Sequence, residues 1–368
     1  MRVLISGGGT AGHVFPALAL ARRLTEGHGA EVRFVGTTTG QEAHLVPAAG
    51  FAFAAIEARP FVRKISLRGL AAPAATLRSV GRCRPFVEDA DVVVGMGGYV
   101  SVPVAIAAAR ARRPLVLHEQ NAVPGLANRT LARVAKTVAL SFPEAARLLP
   151  RGVAWVVTGN PVRPEILGVQ ANREALAKEA LDEMDLEARR TTVVVFGGSQ
   201  GALHVNRAAV DALRRLRGRG DLQVVLLTGP AHVEEMRGAN DSQGDLLVRT
   251  LPFLDRMELA YAVADLVVTR AGATSIAEVG VCGLPSLLVP YPYATGRHQE
   301  ANARALQRAG AATVVMDDAL TGELLASRIA GLVDDPERLR AMGERASAWA
   351  RRDAAGALAN VVMEAARP

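Results

Sequence analysis

Cysteine is almost missing from this chain: Cys83 and Cys282 are the two among 368 residues, and they stand far apart. That excludes a disulfide framework and a CxxC metal site, and fits a reducing compartment. Aromatic residues make up 4%, so Ala, Val and Leu must fill the cores, and no RNP-like aromatic strand is present to stack on bases. Zinc-finger spacing and an uninterrupted basic arm are absent as well, so nucleic acid is not expected as a partner. No long apolar run occurs. The richest, 102–109, contains Pro103 and ends at Arg110, well short of the roughly 20 residues a spanning helix needs. No export signal precedes the first strand, which predicts a protein that stays in the cytoplasm.

What is present is an ordinary α/β composition with a basic excess. Half the residues are hydrophobic, and 43 Lys plus Arg against 36 Asp plus Glu leave a formal charge of +7. Phosphate-bearing metabolites or anionic lipid are the partners this favours. The length predicts two domains, each able to bury its own core.

The run ISGGGTAGHVFPALALARRL, residues 5–24, organises the rest. Residues 2–5 read as a buried strand, the glycines as a tight turn and Pro16 as a first-turn residue of a helix whose Ala17, Leu20, Ala21 and Leu24 form one apolar face. A strand, a glycine turn and a helix start make a phosphate seat. Gly7, Gly9 and Gly12 also satisfy the dinucleotide fingerprint, so an NAD enzyme is the first rival. That reading needs an acid at the end of the second strand. The strand near 31–35 runs instead into Gly36 and three threonines. His13, ionisable and beside the turn, suits proton transfer better than cradling a dinucleotide.

Strands and helices then alternate, which predicts parallel sheets wound with helices on both faces. A strand over 91–94 leads into GMGGYVS and another over 115–117 into His118, Glu119, Gln120 and Asn121. Ligands bind beyond the carboxyl ends of such strands, so the segments at Gly7, Gly97 and His118 are expected on one rim. Asp89 and Asp91 spell DxD but precede their strand, and no metal is expected there. GNPVRP, 159–164, reads as the domain boundary. Beyond it TTVVVFGGSQGALHVNRAAVDALRRL repeats the opening layout, with Val205, Ala209, Leu213 and Leu216 inward. Later strands are expected at 222–227, 246–248, 266–268, 286–289 and 312–315. Within 267–303, Gly272 makes a turn and Ala273, Thr274, Ser275, Ile276, Ala277 and Glu278 begin a helix. Its N-terminus can receive a phosphate, and the Glu278 carboxylate can accept two ribose hydroxyls. Gln299 and Asn302 carry amides suited to sugar hydroxyls.

SGGGTAGHVFPALALA, GMGGYVS, HEQNAVPG, GNPVR, FGGSQGA and RAGATSIAE followed by HQEANA resemble, in order and spacing, the MurG family of peptidoglycan glycosyltransferases. The resemblance implies a GT-B fold, two Rossmann-like doubly wound parallel-sheet domains facing across a cleft. Its domains would be 1–160 for acceptor and membrane, 161–335 for the UDP-sugar, and a helical 336–368 packing back on the first. It implies transfer of N-acetylglucosamine from UDP-N-acetylglucosamine to the C4 hydroxyl of a lipid-linked muramoyl-pentapeptide, with inversion, at the cytoplasmic face of the inner membrane, and without a cofactor. Donor contacts would be Thr10, Ala11, Gly12, Asn121, Arg163 and Ser199, with Leu254 by the uracil, residues 273–278 on phosphates and ribose, and Gln299 on the sugar. Three departures stand out. Ala11 replaces a usual Gly and must avoid a positive φ, Ser275 replaces Thr, and Gly296 and Arg297 replace acidic residues. A UDP-sugar epimerase or a non-catalytic nucleotide-sugar binder of the same fold are the alternatives.

Attack by a sugar hydroxyl needs a base and a stabilised diphosphate leaving group. His13 is the first candidate base. Glu119 is the second, or orients His13. Residues 59–84 interleave Phe61, Val62, Ile65 and Leu67 with Arg63, Lys64 and Arg68 and contain no acidic residue. Such a pattern predicts that Phe61, Val62, Lys64, Leu67 and Arg68 face an anionic membrane surface.

Overall fold

Contiguous apolar runs such as Val3, Leu4 and Ile5, or Val193, Val194 and Val195, are buried on both sides, as parallel strands covered by helices require. The computed structural model describes residues 1–56, 72–198, 201–236 and 244–367. It divides into two units, Met1–Arg163 with Arg351–Pro368, and Pro164–Ala350.

The first unit is built on β1 (Arg2–Ser6), β2 (Glu31–Thr37), β3 (Ala52–Ile56), β4 (Val92–Gly95), β5 (Leu115–Glu119), β6 (Thr137–Leu140) and β7 (Trp155–Val157). All pair in parallel, in the order β3-β2-β1-β4-β5-β6-β7. The order reverses beside β1, so the switch point lies where β1 and β4 end. Its helices are α1 (Ala11–His28), α2 (Glu42–Ala48), α3 (Ala72–Glu88), α4 (Ser101–Arg110) and α5 (Leu126–Leu131). Ala17, Leu20, Ala21 and Leu24 of α1 are fully buried on one face of the sheet, while Val87, Val104 and Ala108 of α3 and α4 fill the other.

In the second unit α6 (Pro164–Leu167) and α7 (Arg173–Glu183) precede β8 (Thr191–Phe196), α8 (Leu203–Arg215), β9 (Leu222–Leu227), β10 (Leu247–Leu251), α9 (Met257–Val263) and β11 (Leu266–Thr269). Then come α10 (Ala273–Val281), β12 (Ser286–Leu288), α11 (His298–Arg308), β13 (Ala312–Val314), α12 (Gly322–Val333) and α13 (Pro336–Trp349). Its sheet is parallel in the order β10-β9-β8-β11-β12-β13, with the switch between β8 and β11. Val205, Ala209, Leu213 and Leu216 are buried, as the apolar spacing of α8 requires.

Two details differ from the sequence reading. α1 starts at Ala11, so Pro16 lies inside the helix rather than in its first turn. Thr10 is extended (φ −136°, ψ 154°), and its carbonyl accepts the N–H of His13 at 3.1 Å and of Val14 at 3.3 Å, which closes the first turn ahead of the proline. Ala11 is therefore helical and escapes the positive φ its glycine-like place threatened. Of residues 336–368, α13 packs on α10 and α12 within the second unit, while the chain returns to the first at Arg351 through α14 (Ala354–Ala365). Leu358, Ala359 and Val362 of α14 are fully buried beside α1, whereas α13 buries Met342, Gly343 and Ala346 only.

Candidate active site

Two glycine segments touch at the switch point of the first sheet. The Met96 N–H donates to the Ser6 carbonyl at 2.7 Å, and a Cβ on Gly98 would stand 2.7 Å from the Gly8 carbonyl oxygen. Gly97 and Gly98, at φ +90° and +79°, make this approach possible because only glycine adopts such angles without strain. The space above Gly97 belongs to His13: a Cβ there would meet the ring at 3.1 Å (Cδ2) and 3.3 Å (Nε2). On its other side the ring is held by Thr10, with Oγ1 and Nδ1 3.0 Å apart. Phe15, two residues on, carries the Arg163 guanidinium 4.4 Å above its ring centroid, a cation–π contact that ties the boundary motif to α1.

The third segment joins through Gln120, whose Nε2 donates to the Met96 carbonyl at 2.9 Å. Glu119 is 3% exposed and its oxygens are occupied. Oε1 accepts the Asn121 N–H at 3.0 Å and Nδ2 at 3.3 Å, and Oε2 accepts the Gly125 N–H at 3.0 Å and Asn128 Nδ2 at 2.9 Å. Burial still raises its pKa, although these four donors oppose the rise. So arranged, the carboxylate braces the loop that carries Asn121. His118 is fully buried, its Nε2 3.0 Å from the Gly159 carbonyl and its Nδ1 without a hydrogen-bond partner among the described residues. Desolvation pushes its pKa down to about 4 and His13 adds to the lowering, while the bond to Gly159 opposes it. A neutral His118 leaves its neighbour His13 unrepelled.

In the second unit Gly272 caps α10 in an extended conformation (φ −64°, ψ 142°) without a side-chain cap. The first N–H groups of Ala273, Thr274 and Ser275 thus lie at a helix start suited to an anion. One turn in, Glu278 is 6% exposed and its Oε2 accepts the Tyr261 hydroxyl at 2.9 Å. Gln299 uses its Oε1 to accept the N–H of Ala271 at 3.2 Å and of Tyr291 at 2.9 Å. Asn302 is fully buried and donates to the Ala271 carbonyl at 3.1 Å, so it staples the loop rather than facing a ligand. Leu254 is 9% exposed, while its neighbour Phe253 shows half its surface. Arg297 occupies the left-handed region (φ 53°) and pairs with Glu300 at 2.7 Å.

Ser199 and the expected membrane-facing Phe61, Val62, Lys64, Leu67 and Arg68 lie outside the described residues. Asp89 and Asp91 are engaged at the amino end of the sheet: Asp89 pairs with Arg2 and Arg33, and Asp91 accepts the Arg2 N–H at 2.7 Å. Among the described residues no helix is long and apolar enough to cross a membrane. Sequence reasoning missed Glu42 and Tyr261. Both are buried hydrogen-bonding partners of the two glycine-turn regions, and neither has a local motif to announce it.

Residues 3–140 match the glycosyltransferase family 28 N-terminal domain and residues 192–358 the glycosyltransferase family 28 C-terminal domain. The chain is 41% identical over 377 residues, spanning 100% of both chains, to the UDP-N-acetylglucosamine–N-acetylmuramyl-(pentapeptide) pyrophosphoryl-undecaprenol N-acetylglucosamine transferase of Halothermothrix orenii. It is 38% identical over 369 residues to the Bacillus subtilis protein of the same name, covering 99% of each. Among solved structures, MurG of Acinetobacter baumannii superposes with a TM-score of 0.79 at 31% identity over 99% of each chain. The UDP-GlcNAc 2-epimerase of Neisseria meningitidis, at 12% identity and a TM-score of 0.69 over 99% of this chain and 100% of that one, shares the fold alone. With two doubly wound parallel sheets, both family 28 domains in order and full-length relatives near two-fifths identity, the chain has the GT-B fold and belongs to the MurG family of glycosyltransferases.

Proposed function

We infer that this protein transfers N-acetylglucosamine from UDP-N-acetylglucosamine to the C4 hydroxyl of the muramoyl sugar of undecaprenyl-diphospho-muramoyl-pentapeptide, giving lipid II with inversion at the anomeric carbon. The observation that carries the chemistry is the setting of His13, held at Nδ1 by Thr10 against Gly97 at the switch point of the first sheet. With Nδ1–H donated to the threonine oxygen, Nε2 carries the lone pair that takes the proton of the acceptor hydroxyl.

The second unit holds the donor. Backbone N–H groups at the start of α10 receive the diphosphate, and the helix dipole favours the charge that grows on it as the sugar leaves. Glu278 accepts the ribose hydroxyls, Leu254 lies by the uracil, and the Gln299 amide donates to the sugar. Thr10, Ala11, Gly12, Asn121, Arg163 and Ser199 supply further donor contacts. Residues 59–84 dock on anionic lipid, bringing the enzyme to an acceptor anchored in the cytoplasmic leaflet.

The decisive experiment follows UDP release and a new disaccharide with and without a polyprenyl-diphosphoryl muramoyl acceptor. Acceptor-dependent transfer is the expected result. Conversion of the donor with no acceptor present would make the protein an epimerase, and binding without turnover would make it a sensor.

A further inference from the structure

One buried carboxylate takes no part in the mechanism above. Glu42 opens α2 and is 1% exposed, a state that costs several kcal/mol unless the charge is fully compensated. The compensation comes from two loops. The Gly9 N–H donates to Oε2 at 2.8 Å, and the N–H and hydroxyl of Thr37 donate to Oε1 at 2.9 and 2.8 Å. The Thr37 hydroxyl in turn accepts the Gly40 N–H at 3.1 Å.

Missing side chains shape the socket. A Cβ on Gly8 or on Gly40 would fall on the carboxylate itself, and one on Gly36 on the Cγ below it. Burial alone would raise the Glu42 pKa, but the donors from Thr37 and Gly9 outweigh it and lower it. The group is thus a fixed anion, supplied from the start of α2 to the turn at the end of β1.

In strand–turn–helix units of this type the turn's N–H groups are where a phosphate sits. Here the Gly9 N–H already has its anion. The residue after Gly9 is Thr10, whose hydroxyl holds His13 Nδ1 at 3.0 Å. We propose that Glu42 is a built-in anion, filling the phosphate seat of the first glycine turn and, through Gly9, holding Thr10 and His13 in the geometry of proton abstraction. It is a positioning residue and touches no substrate. The proposal rests on His13 being the base, and the two ideas fail separately in the experiment below.

Steady-state kinetics of the full chain would be measured for Glu42→Gln, Glu42→Ala, His13→Ala and the Glu42→Ala/His13→Ala double variant, each checked for cooperative unfolding. Glu42→Ala should lower kcat about 10–100-fold with the donor KM within about twofold of wild type. Formate, a carboxylate small enough for the vacated socket, should restore part of the loss. Glu42→Gln keeps the shape but sets an amide N–H₂ against the Gly9 or Thr37 donors, so kcat should fall about 3–10-fold even if the alanine variant does not fold. In the His13→Ala background the Glu42 substitution should cost nothing further, since it acts only through that histidine. Equal losses in both backgrounds, or wild-type kcat in both Glu42 variants, would overturn the proposal. An unchanged kcat for His13→Ala sinks the base assignment instead. Formate rescue would then still support Glu42 as the anion of the turn, and its absence would end that idea too.

Discussion

The Tyr261 hydroxyl donates to Glu278 Oε2 at 2.9 Å, and the tyrosine that reaches it is itself 1% exposed, with its ring edge-on to Phe196 at 6.0 Å. The carboxylate proposed to hold the ribose is thereby aimed from behind by a buried side chain. Tyr261→Phe should weaken UDP binding by up to about 10–150-fold, the worth of one hydrogen bond to a charged group. Glu278→Ala should weaken it further, and NAD should bind to neither variant nor to wild type. Calorimetry with both ligands checks this. Unchanged UDP affinity in Tyr261→Phe would show that Glu278 needs no such support, and tight NAD binding would end the transferase reading.

His13→Ala should reduce kcat by ~10²–10⁴ while the donor KM changes little, because a general base acts on the acceptor and not on UDP binding. Stopped assays at saturating donor decide it. A near-normal kcat would hand proton removal to Glu119 or to solvent.

His118 predicts a pH effect on stability. Folded, it stays neutral down to about pH 4, whereas an exposed histidine takes up a proton near 6.5. Between these values the unfolded chain binds more protons, so the group's contribution to stability falls as pH falls, by at most about 1.4 kcal/mol per pH unit. Glu119, raised by burial, works the other way and favours the fold on the acid side. Comparing wild type with His118→Gln isolates the histidine. Denaturant unfolding should show the wild type losing ground to the variant between pH 6.5 and pH 4. Parallel curves would mean that the folded protein accepts the charged imidazole.

Membrane docking is expected to depend on Phe61, Lys64 and Arg68. Wild type should sediment with anionic vesicles and release as salt rises, because the electrostatic share is screened. The triple Ser variant should stay in the supernatant. Equal binding of both proteins to neutral and anionic vesicles would place the docking surface elsewhere.

How much of this was legible depended on what buries each segment. β1 with α1 and β8 with α8 showed plainly, since a strand covered on both faces is an unbroken apolar run and the glycines and helical spacing follow at once. β3 and β7 did not. They are edge strands, their burial is partial, and Ala52–Ile56 and Trp155–Val157 carry no contrast with the loops beside them. β6 has only four residues and likewise went unread. At the site, the residue types were visible but their duties were not. Glu119 shows a carboxylate in sequence, yet only the fold reveals four donors closing on it. Glu42 reads as a solvated first-turn acid, five residues past the strand end where an acid was sought, and Tyr261 as core filling in an apolar helix. Gln299 and Asn302 sit one turn apart, and only the fold shows that both bond the loop at Ala271.

The return of α14 to the first sheet also dictates a schedule. Leu358, Ala359, Val362 and Ala365 belong to the same core as Val3, Ile5 and Leu20, and Lys136 Nζ reaches the carbonyl oxygens of Ala365 and Arg367 at 3.1 and 3.2 Å. Residues 164–350, a unit with its own core, are translated in between. A ribosome therefore releases a finished second unit while the first, begun earlier, still exposes the apolar groove beside α1. The segment that ends the wait is twelve residues long. Chains halted before it would carry a complete second unit and a first unit whose core still lacks Leu358, Ala359 and Val362.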